Sequence, residues 1–278
     1  MTADGLDADP SAHPSAAPSA DAYAGPASDA ETEADPVADP IAGRPVGFAH
    51  RGAPRWPLRE NTLAAFGAAL RVGIAGLESD VWLTADGIPV LHHDRDLRLR
   101  GRSRPLSTMT SDELPRWLPS LEDLYETFGA DYELSLDLKS PAAAPAVLAV
   151  ARAHGGGAVR RLWLCGSLDE ARAWRRMDEA VRVVDSTRTR FIPGGVGGIP
   201  AHTAKLRSAG IDVLNLRHQE WTPSSVQAVH DAGRLAFGWA ANSRASLRRL
   251  ITIGIDGMYS DRMDRMMSAL HASRSRER

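Results

Sequence analysis

From Val46 onward, short runs of β-branched and apolar residues alternate with longer stretches in which apolar residues recur every three or four positions. Segments of period two alternating with segments of period 3.6 predict an α/β protein with a parallel sheet. The predicted strands are 46–50, 76–83, 132–139, 161–165, 181–186, 211–217, 235–240 and 255–260. That is about eight, the number that closes a barrel. The predicted helices are 61–72, 120–128, 142–153, 168–179, 201–209, 222–232 and 243–252. Ser167, Thr222 and Ser243 each stand where an N-cap belongs, and Glu170, three residues after Ser167, completes a capping box. The Asp86-Gly87 turn signal folds residues 88–92 back on the second strand as a hairpin. Residues 95–119, rich in arginine, read as a long irregular loop over one barrel end. A doubly wound open sheet would show the same alternation, so the strand count leaves both architectures open.

Composition narrows the picture. The chain has 278 residues, near the roughly 250 of one such barrel, and 43% are hydrophobic, enough for a sizeable core. Residues 1–44 are almost entirely Ala, Asp, Pro, Ser, Glu and Gly, and predict a disordered acidic tail. They hold nine acidic residues against Arg44, leaving 32 basic and 26 acidic residues in the remainder, a net of +6. A mildly basic body suits an anionic small-molecule substrate, while the absence of a dense basic run interleaved with aromatics argues against nucleic acid. Cys165 is the only cysteine, which excludes an intramolecular disulfide and a cysteine-based zinc cluster. Residues 1–9 lack the pattern of a secretory signal and no apolar run is long enough for a membrane span, so a cytoplasmic protein is expected. Oligomeric state is not legible. The domain reading is a tail over 1–44, a barrel over 45–270 and a basic C-terminal tail over 271–278.

Candidate chemistry concentrates at predicted strand ends. His50-Arg51-Gly52 closes the first strand and Glu60-Asn61-Thr62 stands at the start of the first predicted helix. Glu78 and Asp80 lie two apart in the second strand and therefore share a face, where two hard carboxylate oxygens suit Mg²⁺ or Ca²⁺. His93-Asp94 follows the hairpin. Residues 133–139 alternate polar odd positions with leucines at 134, 136 and 138, which in a barrel would turn Asp137 and Lys139 inward near the C-terminal rim. A solvent-facing antiparallel strand would alternate in the same way.

Taken in order, these motifs resemble the glycerophosphodiester phosphodiesterase family over most of residues 46–262. The long fixed spacing of Thr84-Ala-Asp86-Gly87-Ile-Pro89-Val90 followed by His93-Asp94 carries much of the resemblance. Trp239 and Asn242 match its W-x-x-N stretch, and Gly254-Ile-Asp256-Gly257 with Ser260-Asp261 match its final strand. The resemblance implies a (β/α)₈ TIM barrel, with His50 and His93 as general base and general acid. It implies a divalent metal held by Glu78, Asp80 and Asp137, and phosphate contacts from Arg51 and Lys139. It also implies hydrolysis of glycerophosphodiesters to an alcohol and glycerol 3-phosphate, by way of a cyclic phosphate where a neighbouring hydroxyl attacks. Lysophospholipid cleavage of the lysophospholipase D type and a catalytically weak phospho-ligand-binding barrel are the alternatives.

Three positions depart from the family pattern: Arg59 where proline is usual, Asp137 where glutamate is usual, and Met263 where proline is usual. The shorter Asp137 is expected to alter metal preference or admit a water. Trp239 is a candidate to cover a glycerol-like part of the substrate, with a packed aromatic as the alternative. His218 follows the sixth strand and is a further candidate for the pocket, and the glycines around 194–198 read as a βα loop.

Overall fold

The computed structural model describes residues 45–55, 57–99 and 101–274, with the side chain of Arg274 excepted. The tail expected over 1–44 and the final residues 275–278 lie outside the described residues. Eleven strands occur among them. They are β1 (Val46–Ala49), β2 (Gly76–Leu83), β3 (Pro89–Leu91), β4 (Asp96–Leu99), β5 (Arg102–Pro105), β6 (Glu133–Leu138), β7 (Leu162–Gly166), β8 (Arg182–Ser186), β9 (Val213–Arg217), β10 (Leu235–Trp239) and β11 (Gly257–Ser260).

Eight of them are parallel and run β1-β2-β6-β7-β8-β9-β10-β11 around a closed ring. Pairing of β1 with both β2 and β11 completes the circuit. These are the eight predicted strands, with no end displaced by more than two residues. The helices are α1 (Leu63–Arg71), α2 (Leu121–Phe128), α3 (Ala144–Ala153), α4 (Gly156–Arg160), α5 (Leu168–Arg175), α6 (Ile199–Ser208), α7 (Pro223–Asp231), α8 (Arg244–Thr252) and α9 (Met263–Arg274). The caps act as the sequence suggests. Ser167 and Glu170 form the reciprocal capping box of α5, and Thr222 and Ser243 cap α7 and α8 with Ser225 and Ser246. The first helix starts at Leu63 because Asn61 adopts a left-handed φ of 52° and Thr62 is the extended cap.

Strand alternation separates two cores. Leu134, Leu136 and Leu138 of β6 face outward and pack with helix residues such as Phe66, Val147 and Leu250. Inside the ring, Phe48, Trp163, Phe237 and Tyr259 form an aromatic floor with ring centroids 4.9–6.3 Å apart. Two glycines exist to make room for it. A Cβ on Gly76 would stand 2.6 Å from the Phe48 ring, and one on Gly257 2.6 Å from that of Phe237. The inward column of β6 rises through Glu133, which accepts from Trp163 Nε1 (2.7 Å), and Ser135, beside the Tyr259 hydroxyl (2.9 Å), to Asp137 at the C-terminal end.

Two segments differ from expectation. Residues 95–119 are not an irregular loop: β4 and β5 form an antiparallel hairpin turned at Gly101 (φ 78°), followed by two short 3₁₀ turns. Val90, Leu97, Leu106, Met109 and Leu118 give it a small core of its own. Arginines on alternate positions obscured the strands, and one of them, Arg104, is paired with Glu113 at 2.8 Å. The last helix also extends through Arg274, with Met266 and Leu270 against Gly47 of β1. Its Met263, Met266, Met267 and Leu270 carry the helical spacing in the sequence.

Candidate active site

The aromatic floor blocks the barrel below, so the cavity opens at the C-terminal ends of the strands, where barrel active sites lie. It has a volume of about 380 Å³. His50, Arg51, Glu78, Asp137 and Trp239 line it together with Ser135, Asn215 and Asp261.

The left-handed turn after β1 builds the first part. Arg51 has φ 51° and ψ 32°, which lets its backbone N–H donate to Glu78 Oε2 at 2.8 Å. Gly52 follows at φ 78°, and a Cβ there would meet that of Ala65 at 2.9 Å, so the third position of His-Arg-Gly requires glycine. The Arg51 side chain pairs with Glu60 (Nη1 to Oε1, 3.1 Å) and Asp80 (Nε to Oδ2, 3.2 Å). Asn61 supports the same corner by accepting from Ser79 Oγ at 2.8 Å.

His50 is oriented from the opposite end of the chain. Its Nδ1 meets Asp261 Oδ1 at 2.5 Å, and its Nε2 lies 3.9 Å from Glu78 Oε2. Asn242 Nδ2 donates to the other Asp261 oxygen, while its Oδ1 accepts from Ser260 Oγ and the Asp261 N–H. Burial alone would lower the His50 pKa, but Glu78 and Asp261 outweigh it and raise it. The hydrogen bond to His50 in turn holds the Asp261 carboxyl low.

The carboxylates meet as strand geometry requires. Glu78 and Asp80 are buried on one face of β2, and Asp137 stands in register with Asp80 on the neighbouring strand. Burial, with the nearby Asp80 and Asp137 charges, pushes Glu78 up to about 7 against the pull of His50. Lys139 Nζ bridges Asp80 Oδ1 at 2.9 Å and Asp137 Oδ2 at 2.6 Å. Burial opposes its charge, but those two carboxylates raise its pKa.

The donor set is chemically suited to a hard divalent cation: three carboxylates with oxygen donors only, one of them, Glu78, with its pKa raised by burial. Among the described residues, no group of three or more His, Cys, Asp or Glu side chains stands in a metal-holding arrangement. Asp80 instead gives its oxygens to Arg51 and Lys139.

Of the predicted site residues, His50, Arg51, Glu78, Asp137 and Trp239 reach the cavity wall, and Asp80 and Lys139 stand directly behind it. His93 does not line the cavity. It sits beyond β3 with its Nδ1 on Asp94 Oδ1 (2.8 Å) and its carbonyl accepting from Trp82 Nε1. His218 does not line it either, and His202 is taken up by Asp185 at 2.6 Å. Arg59, in place of the usual proline, stacks its guanidinium 3.9 Å over Trp117. The glycines of 195–198 form a 3₁₀ turn leading into α6. Neither Asp261 nor Asn215 has a role legible from sequence alone. The Trp239–Asn242 and Ser260–Asp261 motifs carried the signal for the first, and the inward alternation of β9 carried it for the second.

Comparison with known proteins places these motifs in context. The model of the glycerophosphoryl diester phosphodiesterase family matches residues 50–265. A probable glycerophosphodiester phosphodiesterase 2 of Mycobacterium tuberculosis is 28% identical over 83% of this chain and 92% of its own length. The crystal structure of a putative glycerophosphoryl diester phosphodiesterase from Silicibacter pomeroyi is 25% identical, with a TM-score of 0.71 over 83% of this chain and 94% of that one. An Oleispira antarctica phosphodiesterase, solved in complex with the product sn-glycerol-3-phosphate, has the same fold (23% identity, TM-score 0.71, 83% and 98% covered).

Proposed function

This chain belongs to the glycerophosphoryl diester phosphodiesterase family, and we propose that it cleaves glycerophosphodiesters to an alcohol and glycerol 3-phosphate by histidine acid–base catalysis at a divalent metal. The observation that carries the proposal is the convergence, in one cavity, of an aspartate-oriented histidine, a buried carboxylate group and two basic side chains beside it.

Hydrolysis of a phosphodiester requires removal of a proton from the attacking oxygen and delivery of another to the departing alkoxide. Asp261 occupies Nδ1 of His50, so Nε2 is the nitrogen that exchanges a proton on the cavity side. His93, outside the cavity wall with its ring held by Asp94, is the proposed partner for the second transfer. Arg51 and Lys139 supply fixed positive charge for the phosphate oxygens; Glu60, Asp80 and Asp137 restrain both side chains without long rotamer searches. Glu78, Asp80 and Asp137 would hold the divalent cation, Mg²⁺ or Ca²⁺. When bound, it supplies charge that neutralises the phosphate and makes phosphorus more open to attack.

The test is release of glycerol 3-phosphate from a panel of glycerophosphodiesters, with a lysophospholipid included, under titration of Mg²⁺, Ca²⁺ and EDTA. Wild-type turnover that EDTA abolishes, with losses of about 10²-fold or more in His50→Ala and comparable losses in Glu78→Ala, is the expected result. Equal, EDTA-insensitive rates in all three proteins would sink the proposal. Faster turnover of the lysophospholipid would move the substrate to the lipid class.

A further inference from the structure

The wall of the cavity facing away from His50 is built by the ends of β8, β9 and β10, and the chemistry above leaves it without a task. Asn215 is only 5% exposed, yet lines the cavity. Its Nδ2 donates to Ser186 Oγ at 3.1 Å, while its Oδ1 is buried with no hydrogen-bond partner. A buried acceptor left unpaired is costly, so an atom of this kind on a cavity wall marks a place for a donor. Two residues along the same inward face, Arg217 also has its Nε buried and unpartnered. Its guanidinium lies 5.9 Å from the centre of the Trp239 ring, and among the described residues it makes no salt bridge. Arg188, paired with Glu220, approaches the same ring to 5.5 Å.

An indole at the mouth of a small-molecule site is ordinarily a good seat for a quaternary ammonium, drawn to the ring face. Here two guanidinium groups already stand about the ring. A third cation placed there meets repulsion chiefly from Arg217, since Glu220 offsets the charge of Arg188, and at about 6 Å in a partly exposed site such repulsion is worth on the order of tenfold in binding. A quaternary ammonium also has no hydrogen to offer the unpaired Asn215 oxygen, so its entry would leave that acceptor buried and unmet. A hydroxyl meets both conditions: it can donate to Asn215 Oδ1, and it brings no positive charge toward the two guanidinium groups.

We propose that Asn215 on the cavity wall, together with Arg217 and Arg188 standing about the Trp239 ring, selects the alcohol half of the diester, admitting hydroxyl-bearing, non-cationic alcohols such as polyols and rejecting choline. The inference rests on the phosphodiesterase reading of the same cavity. It assigns the wall to the variable half of the substrate, leaving the phosphate to Arg51, Lys139 and the carboxylate group.

The test compares kcat/KM of the full chain, with Mg²⁺ supplied, for glycerophosphoglycerol and glycerophosphocholine, both read as glycerol 3-phosphate released. The expected ratio favours the polyol by about tenfold or more. Arg217→Gln shrinks the ratio by raising turnover of the choline diester relative to the polyol diester. Asn215→Ala shrinks it by lowering turnover of the polyol diester. Because each ratio is measured on one protein sample, it does not depend on the fraction of a variant that folds. A wild-type ratio near or below one overturns this inference alone, as do variants that change both substrates in equal proportion, which would put the common glycerol on the wall. No turnover of either diester overturns the phosphodiesterase reading and the inference with it.

Discussion

His50 depends on a residue 211 positions away. Asp261 holds its ring, and Asn242 holds Asp261, so the W-x-x-N and Ser-Asp motifs form a positioning relay for the histidine. Replacing Asp261→Asn keeps a hydrogen-bond partner but removes the charge that helps raise the His50 pKa. Expected are a fall in kcat of about 10²-fold with little change in KM, and a shift of the His50-governed limb of the pH–rate profile to lower pH. A purely structural role for Asp261 would lower activity without moving that limb. Glu78 leads to a second prediction. An unperturbed glutamate titrates at 4.5, whereas Glu78 holds its proton to about 7. Between those values the folded state binds more protons than the unfolded one, so stability falls as pH rises. His50 acts in the same sense, its raised pKa contributing stability that is present below 6.5 and lost as pH climbs through the folded value. Melting in EDTA should therefore drop from pH 5 to pH 8, with Mg²⁺ or Ca²⁺ restoring the loss most at the alkaline end. A flat profile indifferent to both cations would contradict the assignment of the carboxylate group.

Among the elements, β2 and β6 show how strand register serves chemistry. Adjacent parallel strands bring Asp80 level with Asp137 and carry Lys139 just beyond, so two separate sequence motifs become one charged cluster. The strands keep that register because the barrel closes tightly on its aromatic floor, and closure depends on small residues where rings cross strands. Gly257 of β11 is such a position, and its strand also carries the connection to Asp261. Gly257→Ala should cost about 1–3 kcal/mol, since the added methyl meets a rigid ring rather than a flexible chain end. Thermal unfolding would show it as a lowered Tm, and an unchanged Tm would mean that the floor repacks freely. The β4–β5 hairpin is a different sort of element: it follows the β2–β3 hairpin, has its own apolar cluster, and contributes no side chain to the cavity wall.

For the whole molecule, the ring gathers the ends of all eight strands at one opening, and the charge there is mixed rather than uniformly positive. Residues 45–278 carry 32 basic and 26 acidic side chains. A net positive body speeds the approach of an anionic diester in proportion to how little salt screens it. At saturating metal, kcat/KM should decline a few-fold as ionic strength rises from about 0.02 to 0.2 M, while kcat stays nearly constant, because the field acts on encounter and not on the bound complex. An increase of kcat/KM with salt would exclude steering. Among the described residues no helix is long and apolar enough to cross a membrane.

Much of this organisation is local and therefore written in the chain. Period-two alternation puts Glu78 and Asp80 on one face and Asp137 and Lys139 on another strand's polar face from spacing alone, while barrel closure decides that the polar face of β6 is the inner one. The eight strands, the capping box of α5 and the N-caps of α7 and α8 follow in the same way from backbone chemistry. Tertiary structure decided what depends on closure. Only the pairing of β1 with β11 brings Asp261 to His50, and only the neighbouring ends of β8, β9 and β10 surround Trp239 with Arg188 and Arg217. It also decided that Asp80 rests on Arg51 and Lys139, and that His93 stands outside the cavity wall. A single strand specifies the direction of its side chains, but the identity of the partner across the barrel is set by where the last strand meets the first.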